Sequence, residues 1–244
     1  MTDTTPSTDT TTATWLRLAR GAAVAMVLWA VMVHVTARML IPPVLVIGIV
    51  SAGFVPFLAG SRRKLGLGVA VFYVLATAGN LPILLDELTH PTSTPAFVLA
   101  LLSTTAATTA TIAGLGAFFR WPTAPVRVVA VAAVAVFVVG VGTSIALSSS
   151  TENAVALPGD VTVVAENVAY APDTIEVGAD ATGIWIENRD GIRHTFTIEE
   201  LGVDLEIPAL KASRIDLDAP PGTYAIVCTV PGHENMTGTL VVEG

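Results

Sequence analysis

The side chains best suited to chemistry in this chain lie near its C-terminus. The single cysteine, Cys228, is followed by His233 and Met236, and His194 lies 34 residues upstream of it. Soft thiolate and thioether sulfur favour Cu(I), imidazole suits Cu(II), and a mixed set tolerates both oxidation states. Two His, one Cys and a weak axial Met are the donors of a mononuclear blue-copper site. We therefore predict a metal site for one type 1 copper ion at these four residues.

The alternative for these residues is a lone buried cysteine with unrelated His and Met side chains nearby. The spacing favours a metal site, because Pro231-Gly232 reads as a turn that returns the chain after Cys228 toward the same ion. We also expect Phe196, Tyr170 and Ile226 to pack in the core and to exclude water from the metal. The alternative for these three residues is ordinary packing in a sandwich core, and the two interpretations are compatible.

A series of short strands is predicted to position these ligands. From residue 158 the sequence alternates between β-type runs and turn residues such as Asn188-Arg189-Asp190-Gly191 and Pro220-Pro221-Gly222. Eight short strands without a helical period indicate an all-β sandwich. The expected strands are Val161–Ala165, Thr174–Val177, Gly183–Glu187, His194–Ile198, Val203–Ile207, Arg214–Leu217, Thr223–Thr229 and Thr237–Val242.

At this point the sequence resembles a known family. The run from Asn188 to Phe196, the segment Pro221-Gly222-Thr223-Tyr224, the Cys-x4-His-x2-Met spacing and Gly238-Thr239-Leu240 resemble the cupredoxins, the small blue-copper proteins related to plastocyanin, azurin and amicyanin. The resemblance covers residues 158–244. It implies a Greek-key sandwich in which His194 is the upstream copper ligand and Cys228, His233 and Met236 lie on the ligand loop. Many members have Asn directly after the first His, where this chain has Thr195, whose hydroxyl can still reach the ligand loop.

The rest of the chain differs sharply in composition. Hydrophobic residues make up 52% of the sequence and lie mostly before Leu147. Residues 158–244 carry fifteen acidic and four basic side chains, whereas residues 1–147 carry four acidic and eight basic ones. An acidic domain excludes nucleic acid as a partner, since phosphate binding needs clustered Lys and Arg. It suits solubility in salt or docking to a basic partner protein, and the alternative is that many secreted domains are simply acidic.

Five apolar stretches are each long enough to cross a bilayer, which needs about 20 residues. The bilayer is therefore an expected partner, and the helices could also support oligomerisation. We predict an all-α transmembrane bundle of five helices at residues 15–147, after a disordered polar tail at residues 1–14. A flexible linker at residues 148–157 would join it to the copper domain at residues 158–244. The expected spans are Ala19–Ala37, Ile41–Gly60, Leu65–Leu85, Ala96–Phe119 and Val128–Leu147.

The basic residues of the short loops predict the orientation of these spans. A cytoplasmic N-terminus leaves one basic residue, Arg38, outside and seven inside. Five spans then place the copper domain on the extracytoplasmic face of the cell membrane. The seven inside are Arg17, Arg20, Arg62, Arg63, Lys64, Arg120 and Arg127.

A second site near the outer interface is left open by the sequence. His34, Asp86, Glu87 and His90 all fall there in this topology and could form a metal or proton site. The alternative is that they simply lie in the hydrated headgroup region.

Three functions fit these predictions. The first is a membrane-anchored carrier of single electrons whose redox partner the sequence does not identify. The second is copper delivery, storage or sensing, and the third is a structural anchor whose ligands stay unused. Catalysis is not expected, because four His and one Cys are too few for the additional centres of copper oxidases and nitrite reductases, and all four ligand positions are filled by protein.

Overall fold

The computed structural model describes residues 8–37, 40–178, 181–216 and 218–244. They fall into two compact units. The first comprises Met1–Leu84 and Val98–Gly142, and the second comprises Leu85–Phe97 and Thr143–Gly244. The second unit therefore includes the segment Leu85–Phe97, which the sequence had assigned to the membrane half.

The described part of the chain contains six long or medium helices before the strands, rather than the five that the sequence predicted. Residues 1–7 of the expected polar tail lie outside the described residues, and the first helix already begins at Thr8. The helices are α1 (Thr8–Ala37), α2 (Pro42–Phe57), α3 (Arg63–Gly79), α4 (Leu81–Thr89), α5 (Thr94–Phe119) and α6 (Pro125–Ser150).

The additional helix arises because the third expected span, Leu65–Leu85, is broken. Helices α3 and α4 meet at Asn80 with a bend of 69°. Pro82 follows the break, and a proline is tolerated in the first turn of a helix but not in the interior. Three helices, α1, α5 and α6, are long and apolar enough to cross a membrane, or four if the bent pair forms one span. The chain is therefore a membrane protein with fewer clear spans than predicted.

Small residues allow helices of the first unit to pack closely. A Cβ atom added to Gly66 of α3 would lie 2.5 Å from the backbone oxygen of Gly114 on α5. One added to Gly116 would lie 2.6 Å from the ring of Trp15 on α1. Close backbone approach through small residues is a main source of helix association in membranes. These glycines therefore fix the crossing of α3 and α1 against α5.

The second unit contains a β-sandwich of two sheets. One sheet has the order β2-β1-β4-β7 and the other β3-β9-β8-β5-β6. Each expected strand is present, with small differences at its ends, and the two-residue strand β2 is added to them. Leu217, the last residue of the expected strand Arg214–Leu217, lies outside the described residues. The strands are β1 (Asp160–Ala165), β2 (Tyr170–Ala171), β3 (Thr174–Val177), β4 (Gly183–Asn188), β5 (His194–Ile198), β6 (Val203–Ile207), β7 (Ala212–Asp216), β8 (Gly222–Val227) and β9 (Thr237–Val242).

The core of the sandwich contains the three residues that the sequence placed there. Phe196 and Ile226 are fully buried, and Tyr170 is nearly so. The rings of Tyr170 and Phe196 meet edge to face at 5.8 Å, a favoured aromatic arrangement. The Tyr170 hydroxyl donates to the backbone oxygen of Thr195, the residue after His194. The core thus supports the strand that begins at His194.

An ion pair at the start of β1 predicts how the sandwich responds to acid. Arg214 donates to both carboxylate oxygens of Asp160, at 2.7 and 2.8 Å, and holds the pKa of Asp160 well below its usual range. A carboxyl group with a lowered pKa in the folded state contributes stability above its unfolded pKa of about 3.9 and loses it as pH falls. We expect the wild-type Tm to decline more steeply below pH 4 than that of Asp160→Asn. Thermal unfolding across pH 2–7 tests this, and parallel curves would contradict it.

Candidate metal centre

Two neighbouring strands bring the upstream histidine to the cysteine. His194 is the first residue of β5, and Cys228 directly follows the last residue of β8. These strands are antiparallel neighbours, with Thr197 opposite Val227. The start of β5 therefore lies beside the end of β8. Both side chains are buried, with His194 fully enclosed.

A closed loop between β8 and β9 carries the remaining predicted ligands. The backbone N–H of Cys228 donates to the Met236 oxygen at 3.0 Å, and the N–H of Met236 donates to the His233 oxygen at 2.8 Å. Gly232 adopts a φ of 90°, a left-handed conformation that suits glycine. These bonds return the chain after Cys228 so that His233 and Met236 come back to the same end of the sandwich. The Met236 side chain is buried in the core cluster.

The structure brings the nitrogen and sulfur donors together. The Cys228 Sγ lies 3.9 Å from His194 Nδ1 and 3.6 Å from His233 Nδ1. The three candidate ligand atoms all lie within 4.8 Å of one another. This spacing suits a single metal ion between them, since zinc, for example, binds thiolate and imidazole donors at roughly 2.0–2.3 Å. Two imidazoles and a thiol with a buried methionine nearby match the donor chemistry of copper electron-transfer sites.

The surroundings of Cys228 favour the thiolate. The backbone N–H of Thr195 donates to the Sγ at 3.4 Å. Burial raises the pKa of the Cys228 thiol, but hydrogen bonds with His194 and His233 outweigh burial and lower the pKa to about 5. The thiolate is the form that binds metal. Cys228 is therefore prepared as a metal ligand at neutral pH.

The other ring nitrogen of His194 contacts a carboxylate. His194 Nε2 lies 2.9 Å from Asp190 Oδ2. Burial lowers the pKa of His194, but the contacts with Asp190 and Cys228 outweigh it and raise that pKa. Burial likewise raises the pKa of Asp190, and hydrogen bonds from His194 and two backbone N–H groups lower it overall. In the sequence Asp190 is part of a turn, and its position four residues before His194 is the available signal of this contact.

Thr195 makes the contact that the sequence expected of it. The backbone N–H of Thr229 donates to the Thr195 hydroxyl at 2.8 Å, and the hydroxyls of these two threonines lie 3.1 Å apart. Thr197 donates a further hydrogen bond to Thr195 at 3.2 Å. Thr195 therefore links the start of β5 to the ligand loop, in the position where many cupredoxins have Asn.

The segment Leu85–Phe97 contacts the sandwich within the second unit. Arg193, directly before His194, donates to both carboxylate oxygens of Asp86. The backbone N–H of Ala209 donates to the Ser93 hydroxyl at 3.2 Å. These contacts join residues more than 100 positions apart, and no sequence pattern indicated them.

The residues considered for a second site have different partners. Among the described residues, His194, Cys228 and His233 form the cluster of metal-ligating side chains. Asp86 pairs with Arg193, and His90 Nδ1 lies 2.6 Å from the backbone oxygen of Asp86. His34 belongs to the first unit, where its Nδ1 contacts the backbone oxygen of Ala30. His90 Nδ1 also lies 3.9 Å from Asp86 Oδ1, but among the described residues no third ligating side chain joins this pair in a metal cluster.

The Asp86–Arg193 pair predicts a measurable loss of stability. The Arg193 side chain is 8% exposed and that of Asp86 is 15% exposed, so Asp86→Ala leaves a nearly buried guanidinium without its anion. We expect a loss of about 1.5–3 kcal/mol, which is the range for hydrogen bonds to charged groups. Thermal unfolding of the full chain in detergent measures it. The double variant Asp86→Ala, Arg193→Met should recover part of the loss, and an unchanged Tm in Asp86→Ala would contradict the assignment.

One comparison with known protein families agrees with this architecture. Residues 132–242 match the family model of the cupredoxin-like domain. No curated protein matches the chain. A copper-containing nitrite reductase from Thermus scotoductus is similar in structure, with 21% identity and a TM-score of 0.30. The match covers 39% of this chain and 24% of the reductase chain. A chain of a heme-copper terminal oxidase dimer has 16% identity and a TM-score of 0.30, over 48% of this chain and 95% of its own length.

At these TM-scores neither structural likeness bears on function. The family match is independent of them and includes the whole β-sandwich from β1 to β9. It also includes all four residues of the type 1 copper-like donor set, His194, Cys228, His233 and Met236. Together with the two sheets and the donor geometry, it identifies residues 132–242 of this membrane protein as a cupredoxin-like domain.

Proposed function

We propose that the protein is a membrane-anchored carrier of single electrons, with copper held by His194, Cys228, His233 and Met236. The observation that supports this most strongly is the convergence of two imidazole nitrogens and one sulfur within 4.8 Å. Such a mixed set accommodates both oxidation states of copper. A copper ion bound there supplies a one-electron couple between Cu(I) and Cu(II).

The protein's own contribution is to hold the donors still. Cys228 is tied to Met236 and to Thr195 through backbone hydrogen bonds, and Thr195 is tied to Thr229. A ligand loop fixed in this way resists rearrangement when the charge of the site changes. Core residues such as Phe196 exclude water, which also influences the reduction potential.

The proposed copper site does not catalyse a reaction of its own. Three donors converge and a buried thioether is available as the fourth, so that a fully ligated ion keeps no position open for a substrate. Catalytic metal sites, in contrast, keep one position free. We therefore place this chain among electron-transfer or copper-binding proteins.

We further propose that the N-terminus is cytoplasmic and that the copper domain lies on the outer face of the cell membrane. The excess of basic residues in the loops predicted to be cytoplasmic supports this orientation. The fifteen acidic residues of the C-terminal part favour a basic redox partner and disfavour nucleic acid. The apolar helices bind the bilayer and could support an oligomer.

A second function, copper delivery, storage or sensing, is favoured by one observation. The described part of the chain has three or four candidate spans, whereas an electron carrier needs only one anchor. Electron exchange and copper exchange distinguish the two functions. For the carrier, we expect the copper-loaded full chain to be reduced by ascorbate and reoxidised by ferricyanide within seconds while a chelator removes copper only slowly. Rapid loss of copper with slow electron exchange would favour copper handling.

Matched histidine variants make this experiment specific. His233→Gln removes a proposed ligand, and we expect it to lose copper to the chelator quickly. His90→Gln removes a histidine outside the donor cluster and should behave as the wild type. Equal copper retention in both variants would contradict the ligand assignment.

A further inference from the structure

We propose that Asp190 is a positioning residue for His194, whose carboxylate fixes the imidazole with Nδ1 directed to the metal and Nε2 protonated. This inference rests on the proposed copper site and extends it to a residue outside the ligand set. The chemistry is that of a carboxylate–histidine–metal arrangement, in which the partner of the second ring nitrogen fixes the orientation and tautomer of the first.

The two ring nitrogens of His194 have separate partners. Nε2 lies 2.9 Å from Asp190 Oδ2, and Nδ1 lies 3.9 Å from Cys228 Sγ. A carboxylate only accepts hydrogen bonds, so a neutral imidazole in this contact carries its proton on Nε2 and its lone pair on Nδ1. His194 is fully buried, so the partner of its Nε2 is the Asp190 carboxylate and not water. Asp190 thus determines which nitrogen faces the cysteine.

Asp190 is itself held from several directions. Its carboxylate accepts hydrogen bonds from the backbone N–H groups of Asn167 at 2.9 Å and Val168 at 3.0 Å. Its own N–H donates to Asn188 Oδ1 at 2.9 Å, and its backbone oxygen accepts from Leu210 at 3.1 Å. A carboxylate held by two backbone N–H groups, on a residue whose own N–H and C=O are also hydrogen-bonded, can orient a ring rather than follow it.

The loop that donates to Asp190 adopts an unusual conformation. Asn167 and Val168 have φ angles of 56° and 58°. A positive φ is a clear outlier for a β-branched residue such as valine and persists only where the surrounding structure enforces it. At this loop the consequence is that two consecutive N–H groups point to the Asp190 carboxylate. The strained backbone is therefore directed at the partner of His194.

Two substitutions separate the orienting role of Asp190 from its negative charge. Asp190→Ala removes the acceptor, and we expect copper affinity to fall about 10- to 100-fold, as for other residues that orient metal-bound histidines. Asp190→Asn keeps an oxygen acceptor and the approximate shape but removes the charge. Because a nearby anion stabilises Cu(II) over Cu(I), we expect the reduction potential of Asp190→Asn to rise with a smaller loss of affinity.

The test uses the full chain in detergent, with Asp216→Asn as the control. Asp216 lies on β7, and its carboxylate contacts Arg214 rather than a histidine. Copper affinity is measured by competition with a Cu(I) chelator, and the reduction potential by titration. NMR of copper-free protein labelled at histidine follows the His194 Nε2–H, which should exchange slowly with water in the wild type and the control and rapidly in Asp190→Ala.

The outcomes separate this inference from the proposed function. A protected Nε2–H that is lost in Asp190→Ala supports the positioning role, and failure of that same wild-type protein to bind copper would contradict only the proposed function. Copper binding by the wild type with unchanged affinity, potential and Nε2–H exchange in both Asp190 variants would overturn the positioning role. If Asp190→Ala does not fold, the potential and affinity of Asp190→Asn decide the question.

Discussion

Cys228→Ser should abolish the intense visible absorption of the copper-loaded protein completely. The band expected of a blue-copper site arises from charge transfer between a cysteine thiolate and Cu(II), and a serine hydroxyl is neither soft nor ionised at neutral pH. Cys228 lies between His194 and His233, at 3.9 and 3.6 Å from their Nδ1 atoms, so that its loss removes the central donor. Absorption spectra and copper content per chain measure the effect.

Met236→Leu is the matched control for that experiment. Met236 is buried, and leucine has nearly the same volume, so we expect a stability cost below about 1.5 kcal/mol. The thiolate and both imidazoles remain, and the visible band should therefore persist. Replacement of the thioether by an apolar group should shift the reduction potential, because the axial ligand tunes it. A visible band retained in Cys228→Ser would contradict the assignment of Cys228 as a ligand.

The second large effect concerns the core behind the site. Phe196 is fully buried in β5 and packs edge to face on Tyr170 at 5.8 Å. We expect Phe196→Ala to destabilise the sandwich by about 3–5 kcal/mol, as for other large aromatic truncations in cores. At about 4–8 °C per kcal/mol for a domain of this size, the corresponding loss in Tm is roughly 12–40 °C. Thermal unfolding of the full chain, followed by the β-sheet signal, measures it.

Leu210→Ala provides the control for the core prediction. The Leu210 side chain is 60% exposed, so truncation removes a large apolar group that is already in contact with solvent. Substitutions at such positions usually change stability by no more than about 0.5 kcal/mol. An equal fall in Tm for Phe196→Ala and Leu210→Ala would show that Phe196 is not the core residue that its burial indicates.

The sandwich was predictable because its signals are local. Alternating β-branched and polar residues between Pro, Gly and Asn turns gave each of the eight expected strands, with small differences at their ends. The short β2, only Tyr170–Ala171, has too few residues for such an alternation to appear. The membrane part was predicted less accurately, because the break at Asn80 divides an apolar run that hydropathy alone reads as continuous.

The metal ligands could be predicted from the sequence, but the residues that hold them in place could not. Few functions other than metal binding require Cys, His and Met together, so their spacing in a short loop indicates a metal site. Aspartate is common on protein surfaces, so neither Asp190 nor Asp86 stands out in the sequence. Their roles depend on contacts with residues elsewhere in the fold. Asp86 forms an ion pair with Arg193, which lies 107 residues away in the sequence. Asp190 contacts His194 Nε2 only once β5 has placed the imidazole beside it. Such pairings arise from tertiary structure.

The central claim, a type 1 copper centre in this chain, is tested most directly by spectroscopy of the full-length protein. We would load the detergent-purified chain with Cu(II) and record its absorption and EPR spectra at one equivalent of copper. The expected result is an intense visible charge-transfer band with the small parallel hyperfine splitting typical of a copper–thiolate site. A colourless protein that binds only Cu(I), or one with the large splitting of ordinary tetragonal Cu(II), would contradict the account.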